Sequence, residues 1–198
     1  MIKPIKALAS FNAIPDTFVT IDTETTDLFD DNGDAPGILS IGACLVVDNN
    51  VVDRFSVKAQ PDRPINPEAT RVNGITDSMA KSFPPLHDVW SGFKDYADNQ
   101  FLVAHSMVFD WEVLSQNAHR HDVPMPSPTG LFCTLKGSHL YGNLFLKPSK
   151  HGPSLDRLTE HFGTHDGRSQ IDDRHDAGVD AEQLAYLVLY IKRLLQEG

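Results

Sequence analysis

The chain has 198 residues, 40% of them hydrophobic and 22% charged, with a formal net charge of −10. That length and composition suit a globular chain with a sizeable core and exclude wholesale disorder. No apolar run approaches the ~20 residues of a membrane-spanning helix, and so acidic a chain cannot hold nucleic acid by net charge alone. The opening MIKPIKALASFNAIPD lacks the continuous apolar core of a signal peptide. Cys44 and Cys133 fit no pairing motif and read as small buried hydrophobes in a reducing compartment, so a cytoplasmic location is expected. Residues 1–16 are set apart as an N-terminal extension and 17–198 as a single domain.

A first strand is expected at about Thr17–Thr23, rich in β-branched and aromatic residues. DLFDDNGDAPG then reads as a loop. Ile38–Asp48 and Val51–Gln60 read as strands joined by a hairpin turn at DNN. PDRPINPEATRVNGIT suggests loop or short helix. Leu86–Asp98 has a helical apolar period, with Leu86, Val89, Trp90, Phe93, Tyr96 and Ala97. Phe101–Ala104 is a short buried strand, Val108–His119 a helix, and Leu131–Thr134 a candidate strand. Ser154 is the expected N-cap of a helix through His161, with Gly163 as its stop. Val179–Leu195 is the clearest helix, with one stripe of Leu184, Leu187, Val188, Ile191 and Leu195. Three strands able to pair antiparallel, then strands alternating with helices, predict an α/β fold with one mixed sheet flanked by helices.

Charge is uneven along the chain. Asp27, Asp30, Asp31 and Asp34 crowd one loop, whereas 134–157 holds Lys136, Lys147, Lys150 and Arg157 against Asp156 alone. Within the first strand, Asp22 and Glu24 point the same way because successive residues alternate faces. Their Cα atoms should lie about 6.5–7 Å apart, from two steps of ~3.3 Å. Such carboxylates can converge on ions ~3.5–4 Å apart, the spacing of a two-metal phosphoryl-transfer site, and all-oxygen ligation suits Mg²⁺ or Mn²⁺ over zinc. Taken alone, the pair also describes a solvated strand end. Asp110 reads either as an acid favoured by a helix dipole or as a third carboxylate aimed at the same place. His175 lies just before the last helix, with Asp176 as candidate N-cap and Asp180 a turn inside. A helix N-terminus disfavours the imidazolium, which keeps such a His available as a general base. Yet the chain has nine histidines, and a lone surface His is commonly inert.

In order, Asp22-x-Glu24, Asp110, His175 and Asp180 resemble the DnaQ-like 3′–5′ exonucleases of the DEDDh class, which share the ribonuclease H-like fold. IDTETTDL with ILSIGACLV is similar to the first motif, AHSMVFDWEVL to the second and HDAGVDAEQL to the third. PDRPINPEATRVNGIT looks like the segment between the first two motifs in proofreading subunits of bacterial replicative polymerases. The likeness covers roughly 17–196. Two features depart from it: Ser106 follows His105 where the family usually has Asn, and the acidic loop 27–36 is longer. That loop is either a device steering substrate away from double strands or a surface insertion.

The resemblance implies a ribonuclease H-like mixed β-sheet. It implies two divalent metal ions, Mg²⁺ or Mn²⁺, held by Asp22, Glu24, Asp110 and Asp180. It implies His175 as general base and nucleoside 5′-monophosphate as product. It also suggests Thr25, Thr26, Leu28, Ile75, Phe109 and His105 as substrate contacts. From the basic character of 134–157, Lys136, Lys147 and Lys150 are candidates to track the nucleic-acid backbone. Ile75 and Phe109 read equally as core, and the lysines as a solvated loop. The expected partner is a nucleic acid 3′ end, single-stranded DNA favoured, and no membrane. Alternatives are an RNA 3′-end exonuclease (ribonuclease T-like or oligoribonuclease-like) and a catalytically silent nucleic-acid-binding or polymerase-associated subunit. A polymerase partner is possible but not indicated, since the chain is read as ending with its last helix. A structural metal-binding protein would not need His175. No Gly-x-Ser-x-Gly elbow or P-loop is present, and an EF-hand registered on Gly33 would need acids at Leu28 and Leu39.

Overall fold

The computed structural model describes residues 4–164 and 176–197. A 3₁₀ segment, Pro4–Ala13, leads into strands β1 (Phe18–Thr25), β2 (Ile38–Val47) and β3 (Asn50–Lys58). Two short helices follow, α1 (Pro67–Asn73) and α2 (Asp77–Ala80), then α3 (Leu86–Ala97), β4 (Phe101–Ala104) and α4 (Met107–Arg120). Strand β5 (Gly130–Cys133) and helices α5 (Thr134–Phe145), α6 (Leu155–Phe162) and α7 (Ala177–Glu197) complete the order. The five strands make one mixed sheet in the order β3-β2-β1-β4-β5, antiparallel among the first three and parallel from β1 to β4 to β5. The expected α/β architecture with a mixed sheet is therefore the observed one.

Local chemistry explains the boundaries. The β2–β3 hairpin turns on Asp48 and Asn49 at φ 49° and 61°, the left-handed conformation these two residue types tolerate best. Asn66, Thr76 and Ser154 each cap a helix start through a side-chain oxygen. Helix α6 ends at Gly163 with φ 64°, as its sequence position indicates.

The sheet has a core on each face. On one, Val19, Ile21, Ile41 and Ala43 pack against Trp90 and Phe93 of α3 and Val113 and Leu114 of α4. On the other, Phe18, Cys44 and Val46 pack against Leu184, Leu187, Val188 and Ile191 of α7. Leu8, Phe11 and Ile14 belong to this second core. The described part of the stretch set apart as an extension is thus built into the same packed body. Lys192 fastens it, its Nζ donating to Ile14 O at 3.0 Å, Pro15 O at 2.8 Å and Asp16 Oδ1 at 2.8 Å.

One helix was not foreseen. Helix α5 contains Gly137 and Gly142, poor helix formers that blur its apolar period. Packing explains both: a Cβ at Gly142 would meet Pro153 at 2.8 Å, and one at Gly137 would meet Phe11 at 3.0 Å. Cys44 is buried as expected, while Cys133 is only partly so, and both are free thiols.

Candidate active site

Strand β1 delivers the first two carboxylates. Alternation puts Thr20, Asp22 and Glu24 on the face that α7 covers, and Thr20 Oγ1 donates to Ala181 O of α7 at 2.6 Å. In the β1–β2 ladder Asp22 lies opposite Gly42. A Cβ on Gly42 would stand 2.0 Å from the carbonyl oxygen of Ala177 and 2.3 Å from Gly178 N, so the first turn of α7 rests on bare backbone there. Asp176 caps that turn, its Oδ1 accepting from Gly178 N at 3.0 Å and Val179 N at 3.3 Å. The cap presents Asp180 to the strand. Carboxylate oxygens of Asp22, Glu24 and Asp180 lie within 4.8 Å of one another.

Asp110 arrives from the opposite side of the sheet. It sits in the first turn of α4, is 4% exposed, and accepts a hydrogen bond from Thr23 Oγ1 at 2.9 Å. Thr23 faces away from Asp22 and Glu24 along the strand, so this bond holds Asp110 on the opposite face of β1 from those two carboxylates. Asp110 stands beside the three-carboxylate group without joining it at the same distance. Ser106, the departure noted in the second motif, makes no side-chain cap to α4; its carbonyl accepts from Phe109 N at 2.7 Å and Asp110 N at 3.1 Å.

The site concentrates desolvated negative charge. Burial first, then Asp110, Asp180, Glu24 and Asp176, hold the Asp22 carboxyl well above the usual carboxylate range. Burial, followed by the charges of Asp180 and Asp176, pushes Glu24 up to about 8, against the lowering effect of a hydrogen bond from Asn73. Burial raises Asp110 to about 7, with the Thr23 hydrogen bonds opposing it. Carboxylates placed so close cannot all ionise without compensating positive charge. The donor set, all carboxylate oxygen, fits hard divalent cations of the Mg²⁺ or Mn²⁺ type.

The other sequence candidates fall in different environments. His175 lies outside the described residues. Leu28 is 73% exposed beside the acidic loop, on a backbone held by Leu28 N to Asp27 Oδ1 at 2.7 Å and Asn66 Nδ2 to Asp27 Oδ2 at 2.8 Å. Thr25 is buried with its hydroxyl donating to Asp27 O at 2.7 Å. Thr26 is also buried, and its Oγ1 accepts from Gly37 N at 2.9 Å, closing the loop base. Ile75 is buried with Leu39, Ile65 and Ala80 in a small core of its own. Phe109 is half-buried, edge-to-face with Phe29 at 5.4 Å. His105 bonds Thr134 Oγ1 through Nδ1 at 3.0 Å and Pro153 O through Nε2 at 2.9 Å, and burial lowers its pKa. Both its ring nitrogens are thus engaged within the chain.

The acidic loop is an ordered feature. Helix α4 holds it from behind: Gln116 bonds Gly33 O and Ala35 N, Asn117 bonds Pro36 O, and Arg120 bonds Ala35 O, Pro36 O and Asp62. Sequence reasoning missed Thr23, Gly42 and Asn73. For Gly42 a signal existed, because a glycine inside the apolar strand ILSIGACLV marks a close backbone approach. Thr23 and Asn73 offered none, since their roles depend on partners distant in sequence.

Comparison with known proteins adds to this geometry. A model of the RNase T family, described as Exonuclease, matches residues 19–188. A DNA polymerase III PolC-type of Streptococcus pyogenes serotype M5 (strain Manfredo) is 31% identical over 181 residues, covering 91% of this chain and 11% of the polymerase. The same type of polymerase from Streptococcus pneumoniae serotype 2 (strain D39 / NCTC 7466) is 30% identical over 182 residues, with 91% and 12% covered. The chain thus spans about a tenth of the length of these curated relatives. Among solved structures, Exonuclease X in complex with 5′ overhanging duplex DNA is similar at 27% identity and TM-score 0.66, covering 89% of this chain and 92% of that one. The nuclease domain of 3′hExo, a DEDDh family member bound to rAMP, shares the fold at 16% identity and TM-score 0.67, with 94% of each chain covered. E. coli Exonuclease I in complex with a dA16 oligonucleotide shares it at 18% identity and TM-score 0.67, covering 92% of this chain and 43% of that one.

Proposed function

This chain belongs to the RNase T exonuclease family, the DnaQ-like 3′–5′ exonucleases, and on that premise we propose that it removes terminal nucleotides from single-stranded DNA as 5′-monophosphates. The observation that carries this reading is the convergence of Asp22, Glu24 and Asp180 oxygens within 4.8 Å, with Asp110 at their side. In our reading, these four carboxylates hold two divalent ions. Bound there, such ions supply Lewis-acid activation of water and charge for the leaving 3′ oxygen.

The chain's own residues do the rest. The β1 rail sets the spacing of Asp22 and Glu24, and the capped start of α7 sets Asp180 against them. Thr23 holds Asp110 by one hydrogen bond and so favours its ionised form. His175, adjoining the cap residue Asp176, takes the proton of the attacking water as general base. Exposed Leu28, on its pinned backbone, meets the terminal base through apolar contact, which tolerates any sequence. The match to PolC-type polymerases makes DNA synthesis or repair the setting we propose for this reaction.

The test is 3′-end degradation of 5′-labelled single-stranded DNA and RNA with Mg²⁺ or Mn²⁺. Metal-dependent release of 5′-mononucleotides from DNA, lost in Asp22→Ala and reduced about 10²- to 10⁴-fold in His175→Ala, is the expected result. Undiminished release by Asp22→Ala would sink the reading. Release from RNA alone would move the substrate to RNA 3′ ends, and release from neither polymer would leave a binding module.

A further inference from the structure

The surface formed by the N-terminal 3₁₀ segment and α5 has a charge unlike that of the rest of the chain. Residues 4–15 and 134–155 carry Lys6, Lys136, Lys147 and Lys150 and not one carboxylate, in a chain of net charge −10. Folding makes these two distant stretches neighbours. Phe11 meets Phe132 edge-to-face at 5.2 Å, and the Phe11 ring fills the space beside Gly137. All four lysines are exposed.

The same surface is apolar where it is not basic. Thr134, Ser138, Tyr141 and Gly142 turn inward from α5, while Leu140, Leu144 and Phe145 are left 57%, 50% and 43% exposed. Lys136, Leu140 and Leu144 recur every four residues along α5, and Phe145 at the helix end keeps part of its ring exposed while packing on Tyr141 at 4.7 Å. Apolar and basic groups of this kind, on stretches without acids, match a flexible polyanion that carries planar apolar groups. A single-stranded polynucleotide has that chemistry: phosphates for the lysines and base faces for the ring and the leucines. A folded acidic protein offers the charge without the repeating spacing.

The surface is joined to the candidate active site. His105 stands two residues before α4, which carries Asp110. Its ring bonds Thr134 at the start of α5 and Pro153 at the far end of the stretch, and its carbonyl accepts from Leu135 N at 3.0 Å. Both ends of 134–153 are therefore fastened beside the second motif.

We infer that this face is the path of the single strand upstream of its 3′ terminus. The strand's phosphates lie along Lys6, Lys136, Lys147 and Lys150, and its bases against Leu140, Leu144 and Phe145. The inference rests on the exonuclease reading for what the strand is, and its test separates the two. Anisotropy of fluorescein-labelled dT20 and rU20 is measured without divalent metal over a salt series. The proteins are wild type, a combined variant Lys6→Gln, Lys136→Gln, Lys147→Gln and Lys150→Gln, and Phe145→Ala. Hydrolysis of the p-nitrophenyl ester of thymidine 5′-monophosphate, too short to reach the face, is followed in parallel with Mn²⁺. Thermal melts matching wild type establish that each variant is folded, and the Lys→Arg counterpart serves as rescue.

The combined variant should weaken dT20 binding at least about tenfold at low salt and flatten the log affinity–log salt slope by about 2–3, from ~0.7 per phosphate. Phe145→Ala should weaken it at least about fivefold through lost stacking. Ester hydrolysis should be unchanged in both, and Lys→Arg should restore binding. Undetectable binding of either oligonucleotide by wild type overturns the inference. So does an unchanged affinity and salt slope in the combined variant, which would leave the face to a protein partner. So does equal loss of ester hydrolysis in a folded variant, because the face would then act on the chemistry itself. Lysine-dependent binding by a wild type that hydrolyses neither ester nor oligonucleotide supports the path and overturns only the exonuclease reading.

Discussion

Asp22 and Gly42 face each other across the β1–β2 ladder, and the missing side chain at Gly42 is what allows α7 to close over the strand that carries Asp22. One residue supplies a carboxylate and the other supplies space. The position of Asp180, and with it the three-carboxylate group, depends on that space.

Gly42→Ala is therefore expected to cost far more than a glycine-to-alanine change in an ordinary strand. The added Cβ would stand 2.0 Å from Ala177 O, a backbone atom that cannot swing aside. Overpacking of this kind costs about 1–3 kcal/mol, or roughly 2–4 °C in melting temperature per kcal/mol for a chain of this size. Displacing α7 should also weaken Mn²⁺ binding about 10- to 100-fold, as lost support of a ligand does. Calorimetric melts and Mn²⁺ titration check both, and wild-type values for the two would refute the seating of α7 on Gly42.

Thr23→Val keeps the shape of the side chain and removes the hydrogen bond to Asp110 at 2.9 Å. That bond opposes the upward shift of Asp110, which stands at about 7 with it in place. Without it the carboxyl should titrate higher still, so the acidic limb of the pH–rate profile should move to higher pH. Activity at neutral pH should fall about 10- to 100-fold. A profile superimposable on wild type would show that Thr23 does not tune Asp110.

The crowded carboxylates make the metal-free protein sensitive to pH in an uncommon direction. Glu24, raised from 4.5 to about 8, keeps its proton in the folded state where the unfolded chain has lost it. The folded state then binds more protons between about 4.5 and 8, so metal-free stability should fall as pH rises through that window. Asp110 has the same sign. Mg²⁺ or Mn²⁺ should offset the loss, by about 2.7 kcal/mol at one hundred times its dissociation constant. Melts in a chelator from pH 5 to pH 8, repeated with Glu24→Gln, test this; a melting temperature that climbs across the range in chelator would contradict it.

Arg120→Ala should loosen the acidic loop while leaving the carboxylates in place. Arg120 bonds Ala35 O at 3.2 Å, Pro36 O at 3.1 Å and Asp62 Oδ2 at 2.9 Å, and the loop it holds begins at exposed Leu28. Hydrogen bonds to a charged group contribute about 1.5–3 kcal/mol, so a modest loss of stability is expected. KM for single-stranded DNA should rise several-fold with kcat nearly constant. Steady-state kinetics decide this, and a fall in kcat alone would point to the catalytic groups in place of the loop.

Much of this protein is legible in its residues. Alternation along FVTIDTET determines that Asp22 and Glu24 share a face, because strand geometry is local. Periodicity and caps mark α3, α4, α6 and α7 within a few residues, and the DNN turn marks the hairpin. The order of the carboxylates along the chain points to the family before any contact is known.

The tertiary structure alone decided how those carboxylates meet. Asp110 is held by Thr23, 87 residues away and on the other face of the strand. Helix α7 comes to rest on Gly42, and the first turns of the chain become core through Leu8, Phe11 and Ile14. Helix α5 keeps its form through glycines that make sense only against Pro153 and Phe11. Propensity and period report on neighbours within a turn or two, whereas close packing and buried hydrogen bonds depend on which distant surfaces are brought together. The sequence by itself determined which acids lie on which element; the packing of α4 and α7 around β1 decided that they form a single site.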